Sequence, residues 1–184
     1  QRRHLILDVA ADGGSTVARE RVTEPWVTVQ PGVPCRALGG AILEIVADVA
    51  VDTFRLVADG APLTPAGLQV TGVLDARDDA VVVTAQADPR DQGVYRVLRD
   101  GTVTPVADAP GVHSAAAGEG GVVIASAVPD RPGTAFEARL DHGSATITSL
   151  AERPLVDPQV TFARVGERDL ACAVLWPTGH VPGS

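Results

Sequence analysis

The chain has 184 residues, of which 45% are hydrophobic and 3% are aromatic, and its formal net charge is −8. This length is sufficient for one domain with a substantial core. The acidic balance, 23 carboxylates against 15 basic residues, argues against a nucleic-acid partner, because phosphate binding needs a clustered basic face. The few aromatic residues argue against a stacking platform for sugars or bases.

Lysine, methionine and asparagine are absent from the sequence, a bias that is typical of a GC-rich genome. The location stays open at this point, and a cytoplasmic one is favoured for a GC-rich bacterial protein. No apolar run reaches the length of about 18 residues that a membrane-spanning helix needs, so no membrane partner is expected. Cys35 and Cys172 lie far apart without metal-like spacing, and two buried free thiols are expected rather than a disulfide.

Four turn signals of the Asp-Gly or His-Gly type follow one another along the chain, between 41 and 47 residues apart. Each is flanked by apolar runs, and the glycine tolerates the positive φ that a tight hairpin turn requires. The sequence therefore predicts outer hairpins that turn at four places: Asp12-Gly13, Asp59-Gly60, Asp100-Gly101 and His142-Gly143.

Between successive turn signals lie two further β-like runs, for example "LQVTGVLDAR" and "AVVVTAQAD" before "YRVLRDGTVT". Four short strands in a unit of about 42 residues are typical of a β-propeller blade. No segment of helical length shows a sustained 3.6-residue apolar period. The prediction is an all-β chain that forms a β-propeller segment.

Counting these units predicts about three and a half four-stranded antiparallel blades within residues 1–152. Residues 153–184 are interpreted as exit strands and a linker toward a further domain. The units are a half-blade at 4–22 and blades at about 33–65, 68–107 and 111–150.

An arc of this size leaves strand edges without a neighbour, and such edges invite pairing with another chain. The segment "HLILDV" in the half-blade combines an unpaired edge with an apolar face. We expect the chain to self-associate, or to cover this edge with "QVTFARV" or "DLACAVLW" from its own tail.

The order of four segments resembles one known family. They are "TEPWVTVQPGV", "FRLVADGAPLTPAGLQVTGVL", "GVYRVLRDGTVTPVADAPGVHSAAAGEGGVVIAS" and "ERDLACAVLWPTGHVPGS". Together they resemble the dipeptidyl peptidase IV branch of the prolyl oligopeptidase family of serine peptidases. The match is to the C-terminal half of its N-terminal propeller, running into the first strands of the α/β-hydrolase domain.

The resemblance implies a division of labour between two domains. The hydrolase domain carries the Ser-Asp-His triad, and the propeller caps it, restricts access to short peptides and helps to hold the substrate's N-terminus. The triad is then expected beyond Ser184, and the chain contains no G-x-S-x-G nucleophile motif. The resemblance therefore implies no catalytic residue in this chain, a hydrolase domain of the same parent as partner, and peptides as the parent's substrates.

Substrate-binding residues are only weakly indicated. The family's paired glutamates have no counterpart, because the chain has no adjacent Glu pair. Some members lend a propeller residue to the active site from the loop that corresponds to "VQPGVPCR", where Gln30 and Arg36 are the polar candidates.

No metal or cofactor is expected. The four histidines lack metal-ligand spacing, and the acidic stretches "DARDDA" and "ADPRD" lack the ligand order of a calcium loop, so they are interpreted as loop tips. Trp26 is expected to anchor a blade core and Trp176 to pack at the domain junction. A different interpretation remains open, namely a free-standing propeller or β-sandwich scaffold for protein–protein interaction. The exit "DLACAVLWPTG" speaks against it, because a scaffold should close its last blade.

Overall fold

The structure of the chain is a computed structural model that describes residues 2–23, 28–129, 131–152, 154–156, 159–177 and 179–180. The secondary structure of these residues is β throughout, in sixteen strands. No helix among them has the length and apolarity that crossing a membrane requires. Trp26, which was expected to anchor a blade core, lies outside the described residues.

Three consecutive four-stranded antiparallel sheets form the body of the chain, and each is a meander in chain order. The first blade is made of β3 (Cys35–Ala37), β4 (Ala41–Asp48), β5 (Thr53–Ala58) and β6 (Ala61–Pro62). The second blade is made of β7 (Gln69–Ala76), β8 (Ala80–Gln86), β9 (Gly93–Leu98) and β10 (Val103–Ala107). The third blade is made of β11 (Val112–Gly118), β12 (Gly121–Ala127), β13 (Ala135–Leu140) and β14 (Gly143–Ile147).

A two-stranded antiparallel sheet lies at each end of the chain. The N-terminal hairpin is β1 (Arg3–Val9) with β2 (Ser15–Val22), and the C-terminal hairpin is β15 (Gln159–Val165) with β16 (Leu170–Trp176). The prediction of an all-β propeller segment with a half-blade and three blades is confirmed. Among the described strands neither β15 nor β16 pairs with β1, since the two terminal hairpins form separate sheets, so the alternative in which the tail covers this edge is not realised.

Three of the four predicted hairpin turns contain their Asp-Gly pair. The prediction for the last one is wrong by one residue, because the turn is Asp141-His142 and Gly143 already pairs with Leu140. Asp59 and Gly60 both have positive φ, 49° and 87°, which matches the right-handed twist of the flanking strands β5 and β6. Gly101 connects β9 to β10, and Gly143 opens β14, directly after the turn that follows β13. Local turn chemistry therefore fixes the spacing of the outer strands.

The main hydrophobic core lies between the first and second blades. Leu43 and Leu56 of the first blade are fully buried, as are Val81 and Val97 of the second. These residues belong to one continuous cluster. Successive side chains of a strand point to opposite faces of the blade. Both faces can therefore bury apolar side chains, because a propeller blade packs against a neighbour on each side.

Candidate functional site

The connections between strands fall at two opposite ends of the blades, because successive connections in a meander alternate ends. Tight turns occupy one end. The longer connections that follow β2, β8, β10 and β12 occupy the other, which we call the loop end. Hydrogen bonds join neighbouring connections there, including Gln92 N–H to Gly111 O (2.9 Å) and His113 N–H to Gln92 O (2.8 Å).

Gln30, one of the two predicted substrate-binding candidates, lies in the connection before β3, at the loop end. This connection packs tightly on the second blade, with Val73 N–H donating to Pro31 O at 3.0 Å. Gly32 makes the approach possible, because a Cβ there would lie 2.1 Å from the Val73 carbonyl oxygen. Gln30 is half-buried and borders a narrow crevice between this connection and Glu44.

Arg36, the other candidate, is the middle residue of β3, and its side chain reaches toward the turn that follows this strand. Its guanidinium donates to both carboxylate oxygens of Asp8, at 2.8 and 2.6 Å, and to Gly40 O at 2.8 Å. The Asp8 carboxylate raises the pKa of Arg36 above its ordinary value. The structure thus does not bring Gln30 and Arg36 together, and contact of either with a substrate stays a prediction.

A cleft of about 720 Å³ opens at the loop end, between the third blade and the C-terminal hairpin. Pro110, Val128 and Pro129 line one side, and Val160 and Phe162 of β15 line the other. Arg131 and Gln159 also border it. Its walls are therefore mostly apolar, with polar groups among them.

Beside this cleft, the carboxylate of Asp88 accepts hydrogen bonds from two arginines. Arg90 donates to it from Nε (2.8 Å), from Nη2 (3.1 Å) and from its backbone N–H (2.9 Å). Arg164 of the C-terminal hairpin donates from Nη2 at 2.8 Å. The hydrogen bonds from Arg90, with the charge of Arg164, hold the pKa of Asp88 far below its ordinary range.

A second cleft, of about 380 Å³, separates the N-terminal hairpin from the first blade. Glu44 is 3% exposed there and is held by two arginines of β2. Arg21 donates a short hydrogen bond to it, and Arg19 lies 3.4 Å away without hydrogen-bond geometry. Because these charges compensate one another, the cleft is better explained as a joint between sheets than as a ligand site.

Ser126 and His113 form a hydrogen-bonded pair inside the third blade, with 2.8 Å between Oγ and Nδ1. The other ring nitrogen lies 2.8 Å from Ala109 O, which can only accept. The neutral imidazole of His113 therefore donates a hydrogen bond from Nε2 to Ala109 O and accepts one at Nδ1 from the Ser126 hydroxyl. A catalytic serine also needs free N–H groups that stabilise an oxyanion. Ser126 instead lies in β12 between two paired strands, so the pair is structural.

The acidic residues of "DARDDA" and "ADPRD" lie in loops, as the sequence indicated, except Asp75, which lies in β7. Asp75 pairs with Arg77 and Asp79 with Arg96, while Asp91 accepts from Gly111 N–H at 2.7 Å. No group of three or more potential metal ligands occurs among the residues that the structure describes. Both cysteines are free and half-buried.

Sequence reasoning missed the two arginine-held carboxylates, Glu44 and Asp88. A signal for Glu44 was present, since a glutamate inside the apolar run "AILEIV" must be buried and therefore paired. No local signal marks Asp88 and Arg164, which are 76 residues apart in sequence.

No protein-family model matches the chain, and no curated protein matches it significantly. Among solved structures it is similar to Porphyromonas gingivalis dipeptidyl peptidase 4, with a TM-score of 0.66 and 13% identity. The likeness covers 95% of this chain and 28% of that one, so the chain spans little more than a quarter of its neighbour's length. At this identity the likeness shows the fold, which is that of a β-propeller segment.

Proposed function

We propose that the chain is the non-catalytic β-propeller segment of a serine exopeptidase of the dipeptidyl peptidase type. In this role it caps an α/β-hydrolase domain of the same parent chain and restricts access to short peptides. The parent is the enzyme, and the 184-residue chain alone has no peptidase activity.

One observation carries the proposal: the propeller likeness to a dipeptidyl peptidase extends over 95% of the chain. The ordered motifs described above point to the same family independently of any structure. The separate C-terminal hairpin supports the proposal that a hydrolase domain follows the propeller segment in the parent chain. It forms its own sheet after the third blade, as a transition into another domain requires.

The test compares the 184-residue chain with the product of the longer reading frame, if the gene continues beyond Ser184. The longer product should carry a G-x-S-x-G motif, hydrolyse Ala-Pro or Gly-Pro chromogenic dipeptides and react with a fluorophosphonate probe. The short chain should do neither, and Ser114 and Ser126 should remain unlabelled. Stoichiometric labelling of either serine, or a reading frame without such a motif, would contradict the proposal.

A scaffold for protein–protein interaction is the second candidate, and one observation favours it. The N-terminal hairpin exposes a row of apolar side chains, Leu5, Leu7 and Val9, on the face away from the first blade. Exposed apolar faces commonly mark interaction surfaces. A reading frame that ends by completing a blade, without a hydrolase motif, would favour this candidate.

A further inference from the structure

The C-terminal hairpin is attached to the blades mainly through side chains. β15 and β16 pair with each other, and among the described strands neither joins the ladder of a blade. The described part of the connection from β14 is exposed, with Leu150 and Leu155 almost fully accessible. Backbone pairing and buried apolar packing of this connection therefore do not fix the hairpin's orientation.

Two contacts at the loop end join this hairpin to the second blade. Arg164 donates to Asp88 at 2.8 Å, and the Arg90 guanidinium lies over the Phe162 ring, 5.8 Å from its centroid. The two contacts share components, because Arg90 also binds Asp88 through three hydrogen bonds. Asp88 thus binds two arginines. Arg90 contacts the Phe162 ring of the hairpin, and Arg164 belongs to the hairpin itself.

We propose that Asp88, Arg90, Phe162 and Arg164 form a reversible clasp that sets the orientation of the C-terminal hairpin on the loop end. Release of the clasp lets the hairpin change its orientation relative to the blades. Phe162 lines the 720 Å³ cleft, so this change widens the cleft and admits larger molecules. The clasp holds whether or not the parent is a peptidase, since it depends on contacts within this chain.

Reversibility follows from the exposure of the contact. The side chains of Asp88, Arg90 and Arg164 are 27%, 37% and 41% exposed, and Phe162 is 41% exposed. Ion pairs and cation–π contacts at such sites are weak and are screened by salt. A contact of this strength holds one orientation without locking it.

The test measures the distance between two spin labels in the 184-residue chain by pulsed electron paramagnetic resonance. Cys35 and Cys172 are replaced by serine, and labels are placed at Glu167→Cys in the hairpin turn and Ser144→Cys on β14, both exposed. Asp88→Asn and Arg164→Gln remove the ion pair from either side, and Arg164→Gln also removes the contacts of Arg164 with Asp169 in the hairpin turn. Asp79→Asn, which breaks an exposed ion pair within the second blade, is the matched control.

The labelled chain without further substitution and its Asp79→Asn variant should each show one narrow distance distribution at low salt. Asp88→Asn and Arg164→Gln should each raise the population at other distances roughly fivefold, and the double variant should add nothing further. Sodium chloride at about 1 M should broaden the parent's distribution in the same way. Unchanged distributions in both single variants with native circular dichroism, or additive effects in the double variant, would overturn the clasp.

Discussion

The two terminal hairpins are attached to the blades by the same chemical device in two different environments. At the N-terminal hairpin, Arg19 and Arg21 hold Glu44, which is 3% exposed. At the C-terminal hairpin, Arg90 and Arg164 hold Asp88, which is 27% exposed. Each joint consists of one carboxylate between two guanidiniums, yet Glu44 is buried between sheets whereas Asp88 is only half-buried.

The comparison shows that burial, rather than the number of ion pairs, decides what such a joint does. A buried carboxylate cannot be left without its partners, because its desolvation is then uncompensated. An exposed carboxylate regains water whenever its partners leave. The N-terminal joint is therefore expected to be part of the cooperative fold, and the C-terminal joint to adjust orientation.

The largest expected effect comes from Glu44→Gln. Loss of this charge leaves the partly buried Arg21 without its ion-pair partner and leaves Arg19 with only Asp59, 3.7 Å away. It should cost about 3 kcal/mol of unfolding free energy. Urea unfolding followed by circular dichroism measures it. Glu137→Gln, which removes an exposed partner of Arg139, is the control and should leave the midpoint unchanged. If Glu44→Gln shifted the urea midpoint as little as the control does, the N-terminal joint would contribute no more to stability than an exposed ion pair.

The second effect concerns the outer face of the N-terminal hairpin. Leu5 and Leu7 are exposed on it, whereas Asp8 and Arg21 point to the first blade. Burial of a leucine contributes about 1.5–3 kcal/mol, so Leu7→Glu should weaken the predicted self-association at least tenfold. Sedimentation equilibrium measures this, with Leu155→Glu as the control outside the sheets. A monomeric parent whose Leu5 and Leu7 amides exchange as fast as a free peptide would refute the prediction.

Thiol reactivity gives a smaller contrast between the two regions. Cys35 opens β3 and packs against the main core, and burial raises the pKa of its thiol. Cys172 lies in the C-terminal hairpin. Because the thiolate is the reactive form, we expect Cys172 to react with a disulfide reagent several-fold faster than Cys35 at neutral pH. The Cys35→Ser and Cys172→Ser variants assign the two rates, and equal rates would contradict the expected contrast.

The smallest expected effect is the response of the C-terminal joint to acid. The folded pKa of Asp88 is depressed, so its stabilisation is present above the ordinary pKa and is lost only as the pH falls through the lower folded value. Between pH 7 and about pH 4.5 the hairpin distance should therefore stay constant. The distance distribution of the chain with Asp88 intact could instead broaden within this window while that of Asp88→Asn does not change. This result would show that Asp88 is protonated at a higher pH than expected.

Repetition in the sequence was sufficient to predict the blades. The turn signals at Asp59-Gly60, Asp100-Gly101 and His142-Gly143 act through local backbone geometry, and the alternating apolar runs between them act through period-two burial. Both effects operate within a few residues, so each is readable without a tertiary structure. The same locality explains why Gln30 and Arg36 could be proposed together although Gln30 lies in the connection before β3 and the Arg36 side chain binds Asp8 and Gly40.

Only the tertiary structure decided which charged groups meet. Arg21 and Glu44 are 23 residues apart, and Arg164 and Asp88 are 76 residues apart, so no periodic pattern connects them. Their encounter depends on how neighbouring sheets are rotated and offset, which is set by the packing of many side chains at once. The sequence by itself determined three and a half blades and their turns. Packing between the sheets determined that one joint is buried and the other exposed.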